Sequence, residues 1–147
     1  MEHHSIEPEI QAYFQSMQTM DQLYEEYARR HGLTFMSLYI LETIYAQKGC
    51  TQKRISEITL YPKQTVNMVV RSFLERGWVT LEQDGNDRRS KRVRFTEDGL
   101  RFAGEVIEAM WDAGRRAFSE LEAEERNIML RTVDAFSRSF IEKVRKL

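Results

Sequence analysis

Residues 51–96 decide the fold of this chain, and they read TQKRISEITLYPKQTVNMVVRSFLERGWVTLEQDGNDRRSKRVRFT. Thr51 is a good N-cap for a short helix over Gln52–Thr59, and Pro62 suits the first turn of the next helix. From 62 to 76 the apolar residues recur at i, i+3, i+4, i+7 and i+8, which is one face of a helix: Val66, Val69, Val70, Phe73 and Leu74. Residues 78–81 and 92–95 alternate like half-buried strands around a charged, turn-forming run at 84–91. The stretch therefore predicts helix, turn, helix and a two-stranded hairpin.

The outward face of the second helix has side chains that can donate to phosphates or hydrogen-bond to base edges. These are Lys63, Gln64, Thr65, Asn67, Met68 and Arg71. A helix of this kind enters the major groove of double-stranded DNA and reads bases near its N-terminus. The alternative for each residue is an ordinary solvated helix face.

The residue types on that face suggest a division of labour. Gln64 and Asn67 can each form two hydrogen bonds with an adenine, and Met68 or Thr65 can contact a thymine methyl group. The charged pair, Lys63 and Arg71, is expected at phosphates.

The tip of the hairpin is basic. Asp87, Arg88, Arg89 and Lys91 lie in or next to the predicted turn. The planar, weakly hydrated guanidinium of arginine suits the narrow minor groove, where the potential is most negative. The alternative is an exposed hairpin with a surface ion pair, which would contribute less than about 1 kcal/mol.

Charge is distributed unevenly along the chain. The 147 residues include 22 Lys and Arg against 23 Asp and Glu, so the formal net charge is only −1. Residues 63–94 hold eight basic and four acidic residues, a local charge of +4, which leaves −5 elsewhere. A basic segment on an acidic frame is typical of a protein that places one face on a polyanion, although it could also be a solvated surface.

Composition narrows the class of protein. The chain is 41% hydrophobic and 31% charged, as expected for a globular subunit, and it shows neither a signal peptide nor an apolar run of membrane-spanning length. Its single cysteine, Cys50, allows no internal disulfide and favours a reducing, cytoplasmic location. His3, His4 and His31 have no metal-ligand spacing, so neither a metal nor another cofactor is predicted.

Long helices flank the central stretch. The first, over about 6–30, has a stripe of aromatic and methionine residues that includes Tyr13, Met17 and Tyr24. Thr34 can cap a second helix that ends near residue 47. Thr96 can cap a fifth helix to about residue 118, and a last helix follows to near residue 146. We expect one continuous subunit, 1–147, with a winged helix-turn-helix lobe at 34–96 and dimerisation helices at 6–31 and 97–146.

Several local patterns resemble the MarR family of bacterial transcriptional regulators. Leu33-Thr34 resembles the start of the family's second helix, and residues 51–58 (TQKRISEI) resemble its first helix-turn-helix element. Residues 73–79 (FLERGWV) are similar to its passage from recognition helix to wing. Residues 87–90 (DRRS) followed by 95–99 (FTEDG) are similar to its wing signature and to the start of the next helix. The resemblance spans nearly the whole chain.

This resemblance implies a homodimer in which the N-terminal helix and the last two helices of each subunit interleave. It further implies binding to a pseudo-palindromic operator, repression, and release by a small phenolic or other lipophilic ligand or by an oxidant. In the family's pattern, an arginine corresponding to Arg89 enters the minor groove while the aspartate, here Asp87, holds it. Tyr61-Pro62 stands where the family often has serine or threonine as the cap of the recognition helix, so the phosphate contact of that cap does not transfer. Asn67-Met68 stands where small hydroxyl residues or arginine are common, so the family's base preference does not transfer either.

Other interpretations remain open at this stage. A winged helix could bind a protein partner instead of DNA, as an adaptor or antirepressor does. An enzyme is not expected, because no phosphate loop, catalytic triad or carboxylate pair can be assigned. Cys50 is expected to be a small buried residue, and aromatics such as Tyr39, Tyr45 and Trp111 could fill the core or line a ligand pocket.

Overall fold

The computed structural model describes residues 5–85 and 87–147, without the side chains of Asp84 and Arg88. The histidines His3 and His4 and the side chain of Arg88 therefore lie outside the described part. In chain order the elements are α1 (Glu7–Arg30), α2 (Phe35–Ala46), β1 (Cys50–Thr51), α3 (Gln52–Thr59), α4 (Lys63–Glu75), β2 (Val79–Asp84), β3 (Asp87–Phe95), α5 (Glu97–Ser119) and α6 (Ala123–Val144). This is the predicted mainly helical fold with a small wing, and each predicted helix boundary is met to within one or two residues.

Three threonines fix the starts of helices, as the sequence predicts. The side chain of Thr34 accepts a hydrogen bond from the Ser37 backbone N–H, 3.1 Å away, at the start of α2. Thr51 does the same at α3. Thr96 accepts from the Gly99 N–H at 3.0 Å and thereby starts α5. Each bond satisfies a backbone donor that the helix itself leaves without a partner.

The sheet differs from the prediction in two ways. A third strand, β1, pairs with β3 through Cys50 and Val93, which gives the order β1-β3-β2 with both pairs antiparallel. A two-residue strand is too short to show alternation, so the sequence predicted only a cap there. The hairpin strands are also longer than expected, because β2 and β3 continue as far as the Asp84–Asp87 pair. The added strand residues near the hairpin tip are polar and show no hydrophobic alternation, so the sequence did not predict them as strand. The backbone hydrogen bonds that pair the strands do not require such alternation.

One apolar core holds the helix-turn-helix in place. Its largest fully buried side chains come from α2, α3, α4, β3 and the first half of α5, and include Leu41, Ile55, Phe73, Val93 and Ile107. One residue of the predicted apolar face differs. Leu74 is exposed at 36%, since it lies at the edge of the buried stripe of α4. Ile58 is only half-buried, and Thr59 is buried beside it, its hydroxyl donating to the Ile55 carbonyl at 2.8 Å.

The chain consists of two compact units, residues 1–107 and 108–147, and the boundary falls within α5. In the first unit, α1 buries Ala28 near its C-terminal end and half-buries Tyr13, Tyr24 and Tyr27, while Met17 and Met20 are exposed at 46% and 56%. In the second unit none of the residues 108–147 is buried, although α6 has many large apolar side chains. No helix among the described residues is long and apolar enough to cross a membrane.

Candidate nucleic-acid interface

The recognition helix α4 separates its two faces as the sequence predicts. Val66, Val69, Val70 and Phe73 are buried. Five of the six predicted contact residues are exposed, with Met68 at 64%, and only Thr65 is half-buried. The exposed ones are Lys63, Gln64, Asn67, Met68 and Arg71. The core therefore holds one side of this helix and leaves the other side available to a partner.

The turn before α4 is held in one conformation by side chains around it. Leu60 has φ +61°, a left-handed conformation that residues other than glycine rarely adopt. The Ser56 hydroxyl donates to the Tyr61 carbonyl at 2.6 Å, and the Tyr61 ring meets Tyr39 edge-on with centroids 6.0 Å apart. Burial, with Tyr39 close by, raises the pKa of the Tyr61 hydroxyl above its ordinary value.

The start of α4 is open to an anion. Pro62 is the N-cap rather than part of the first turn, and no side chain caps the helix. The first backbone N–H groups of the helix point outward without an intrahelical acceptor, at the positive end of the helix dipole. The N–H groups at this end can donate hydrogen bonds to a phosphate oxygen beside the side chains of Lys63 and Gln64.

Some basic side chains of the wing are exposed, and others bond to groups within the protein. Arg89 and Lys91 are exposed. Arg92, by contrast, donates to the Gly49 carbonyl at 3.0 Å, and Arg94 forms an ion pair with Glu82 at 2.6 Å. Lys91 and Arg92 therefore differ as strand alternation predicts.

Asp87 fixes the path of the chain at Arg89. Its carboxylate Oδ1 accepts a hydrogen bond from the Arg89 backbone N–H at 2.9 Å. The resemblance implied that this aspartate holds the arginine, and here the contact is made to the backbone. Such a bond orients the residue while the guanidinium projects outward.

A cleft of about 520 Å³ joins the wing to the start of α3. Its cationic side chains are Lys53, Arg89 and Lys91, with Asp87 as the acidic member, and Thr51, Gln52 and Ser90 complete the lining. Sequence reasoning missed Gln52 and Lys53 as part of this surface, because nothing local shows that α3 begins beside the wing. A signal existed only in their position in the first turn of a helix-turn-helix element.

Taken together, α4, the wing and the start of α3 form a surface rich in donors and cations. Among the described residues no group of three or more His, Cys, Asp or Glu could hold a metal ion. The surface offers directional hydrogen bonds from amides, flexible apolar contact from Met68 and delocalised charge from arginine. These are the properties needed for a polyanion with readable edges.

Comparison with known proteins agrees with this geometry. The sequence model of the MarR family matches residues 31–90, which include the helix-turn-helix and most of the wing. The chain is also 31% identical over 93 residues to an uncharacterised HTH-type transcriptional regulator, YwhA, of Bacillus subtilis strain 168. The chain belongs to the MarR family. The match to YwhA covers 63% of this chain and 66% of the relative, just under two thirds of its length.

Solved MarR-family structures share the fold over nearly their whole length. A MarR family regulator from Neisseria meningitidis, NMB1585, is 19% identical with a TM-score of 0.75, covering 94% of this chain and 97% of that one. MepR of Staphylococcus aureus in a complex with DNA is 20% identical with a TM-score of 0.71, covering 88% and 95%. At such identities the likeness establishes the winged helix fold and nothing further.

Proposed function

We propose that this MarR-family chain is a sequence-specific DNA-binding transcriptional regulator that acts as a homodimer. The observation that carries the proposal is the exposed donor face of α4, held by a buried apolar face beside a wing whose Arg89 and Lys91 are exposed. The related MepR structure, which contains DNA, supports the same use of the fold.

In this proposal α4 lies in the major groove. Gln64 and Asn67 form paired hydrogen bonds with adenines, and Met68 contacts a thymine methyl group. Lys63 and Arg71 neutralise phosphates, as does the open N-terminal end of the helix. Thr65, half-buried, contributes least to base recognition.

The wing holds the neighbouring part of the duplex. Arg89 enters the minor groove, where its planar cation matches the strong negative potential. Lys91 and Lys53, on opposite sides of the cleft, meet the flanking phosphates. Asp87 orients Arg89 through its backbone bond, and Arg88 is proposed as a further contact from its place in the sequence.

The dimer is proposed from apolar surface that a single chain leaves in water. Residues 108–147 bury no side chain, yet they include Val133, Ile141 and Val144 at 42%, 48% and 48% exposure. A helical segment without a core gains too little free energy to remain ordered alone, and a second subunit provides the missing cover. The exposed Met17 and Met20 of α1 are further candidates for this interface.

Symmetry then predicts the form of the operator. A twofold dimer presents two α4 helices and two wings, so its site is pseudo-palindromic with half-sites about one helical turn apart. Following the family resemblance, we propose that the protein represses transcription in the cytoplasm and releases DNA when a small lipophilic effector binds.

Selection from random DNA followed by fluorescence anisotropy over a salt series tests the proposal. We expect two subunits per site, tight binding to the selected sequence, and an affinity that falls steeply with salt as counterions are released. Equal, weak binding to selected and scrambled DNA would overturn it and favour the protein-partner alternative.

The Asn67→Ala variant tests the orientation of α4. We expect it to relax the preference at one base position in each half-site, at a cost of about 1–3 kcal/mol for the preferred base. Glu75→Ala, at the other end of the same helix, is the matched control. A variant profile identical to that of the wild-type protein would contradict base reading by Asn67.

A further inference from the structure

Four elements meet at the C-terminal end of α4. They are the turn that follows α1 at Gly32, the C-cap of α4 at Arg76, the residue before β2 at Trp78, and the first turns of α5 at Phe102. All four residues belong to the unit formed by residues 1–107. None of them belongs to the DNA-binding surface described above.

Three flat groups lie against one another at this point. The guanidinium carbon of Arg76 lies 4.7 Å from the centroid of the Trp78 ring. The indole of Trp78 stacks on Phe102 with centroids 4.1 Å apart and an interplanar angle of 16°. Arg76 also reaches out of the stack, and its Nη2 donates to the Gly32 carbonyl at 3.0 Å. One side chain thus links the end of α1 to the end of α4.

The backbone of Trp78 is held in place on both sides. Its backbone N–H donates to the Phe73 carbonyl and its carbonyl accepts from the Thr96 N–H, each at 2.9 Å. The helix α5 approaches so closely that a Cβ at Gly99 would lie 1.8 Å from the Trp78 carbonyl oxygen. Backbone contacts on both sides therefore fix the main chain of Trp78, and its indole packs against the rings of Phe102 and Phe73.

We propose that Arg76 is a positioning residue that sets the orientation of the recognition helix against α1. The inference rests on the proposed function, in which α4 reads DNA and α1 contributes to the dimer. Arg76 lies roughly 18 Å along the helix from Gln64, since each residue adds about 1.5 Å. A tilt of only about 5° at the Arg76 end would move the reading end by about 1.5 Å, which exceeds the tolerance of a hydrogen bond. Loss of the link weakens operator binding although Arg76 itself makes no contact with DNA.

Direct binding of a phosphate by Arg76 is the competing explanation, and salt dependence separates the two. A lost phosphate contact reduces the magnitude of the negative slope of log affinity against log salt by about 0.9, whereas a misplaced helix lowers affinity at an unchanged slope. The geometry favours positioning, since the guanidinium already has the Gly32 carbonyl and the indole face as partners.

The test uses the full-length protein with Trp111→Phe, so that Trp78 is the single tryptophan of the chain. In this background Arg76→Met keeps the aliphatic stem but loses both the donor and the cation. Arg76→Lys keeps a cation and a donor without the planar fork. Arg116→Met, at an arginine whose side chain is 74% exposed in α5, is the matched control. Operator affinity over a salt series, acrylamide quenching of Trp78, thermal unfolding and oligomeric state are measured for each.

We expect Arg76→Met to weaken operator binding by roughly 2- to 30-fold, the range seen for residues that act through packing. The salt slope and the affinity for scrambled DNA should stay unchanged, and acrylamide should quench Trp78 more readily. Arg76→Lys should recover part of the loss, and Arg116→Met should behave like the background protein.

Two results would overturn this inference alone while the wild-type protein still binds its operator. One is unchanged operator affinity in Arg76→Met. The other is a loss of operator affinity together with a salt slope whose magnitude is smaller by about 0.9. If the wild-type protein binds no DNA, the proposed function fails and the positioning of α4 for DNA fails with it.

Discussion

Among single residues, Arg89 gives the most direct test of whether the wing binds DNA. Its backbone is fixed by Asp87, so its side chain starts from a defined point without help from DNA. We predict that Arg89→Ala weakens binding to selected and scrambled DNA alike. It should also reduce the magnitude of the slope of log affinity against log salt by about 0.9, as expected for one lost ionic contact. Fluorescence anisotropy over a salt series measures both quantities.

Arg116→Ala removes the same charge from an exposed position in α5 and is the control for Arg89→Ala. It should leave the affinity and the slope nearly unchanged. If Arg89→Ala bound its operator as tightly as the wild-type protein, the wing would have no place in DNA binding.

Cys50 is a buried residue, as the sequence analysis expected, at 4% exposure between α2 and α3. Burial raises the pKa of its thiol, although Arg92 and Arg54 act in the opposite direction. We predict that the native thiol reacts slowly with a disulfide reagent at neutral pH and reacts fully in denaturant, because the thiolate is the nucleophile. Fast reaction of the folded protein would contradict this prediction.

The same shift has a consequence for stability. Because the pKa of Cys50 is higher in the folded than in the unfolded chain, its contribution is complete below the unfolded value of about 8.5. The contribution is then lost as pH rises through the folded pKa. Urea unfolding should therefore show that the wild-type protein loses more stability between neutral and alkaline pH than Cys50→Ala does.

At the scale of elements, the contact between α5 and the start of β2 depends on a glycine. A Cβ at Gly99 would lie 1.8 Å from the Trp78 carbonyl oxygen, which real structures do not tolerate. We predict that Gly99→Ala pushes α5 away from Trp78 and destabilises the protein by roughly 3 kcal/mol or more. Urea unfolding measures the loss.

Gly114, in the same helix, provides the matched control. A Cβ there meets no atom within 4 Å, so Gly114→Ala adds only helix propensity. It should raise stability by about 0.5–1 kcal/mol. Equal effects of the two substitutions would show that the close approach at Trp78 is not maintained.

At the scale of the whole molecule, residues 108–147 should be ordered only when a second subunit covers them. We predict that the wild-type protein is dimeric and that its unfolding midpoint rises with protein concentration. Val133→Glu should reduce dimerisation and stability together, since it puts a charge on the apolar stripe of α6. Sedimentation equilibrium and urea unfolding measure the two effects.

Ala135→Glu is the control for Val133→Glu. It adds the same charge to an exposed position about 200° around the helix from Val133, on the other face. It should leave the dimer intact. A wild-type protein that sediments as a monomer, with α6 still helical, would refute the proposed interface.

Features that depend on neighbours along the chain follow directly from the sequence. Thr34, Thr51 and Thr96 cap the helices as predicted, and the buried side of α4 follows its 3.6-residue period except at Leu74. A cap or a stripe involves residues within about one turn, so the pattern is local and readable.

Contacts between residues distant in sequence depend instead on the folded chain as a whole. The fold paired Cys50 with Val93, brought Lys53 to the wing cleft, and joined Arg76 to the carbonyl of Gly32. Such contacts leave no periodic trace, because each involves one residue meeting another across a chain closure whose geometry the whole core sets. For the same reason the sequence identified which residues of α4 face outward, and the fold determined which cations of α3 and the wing line one cleft.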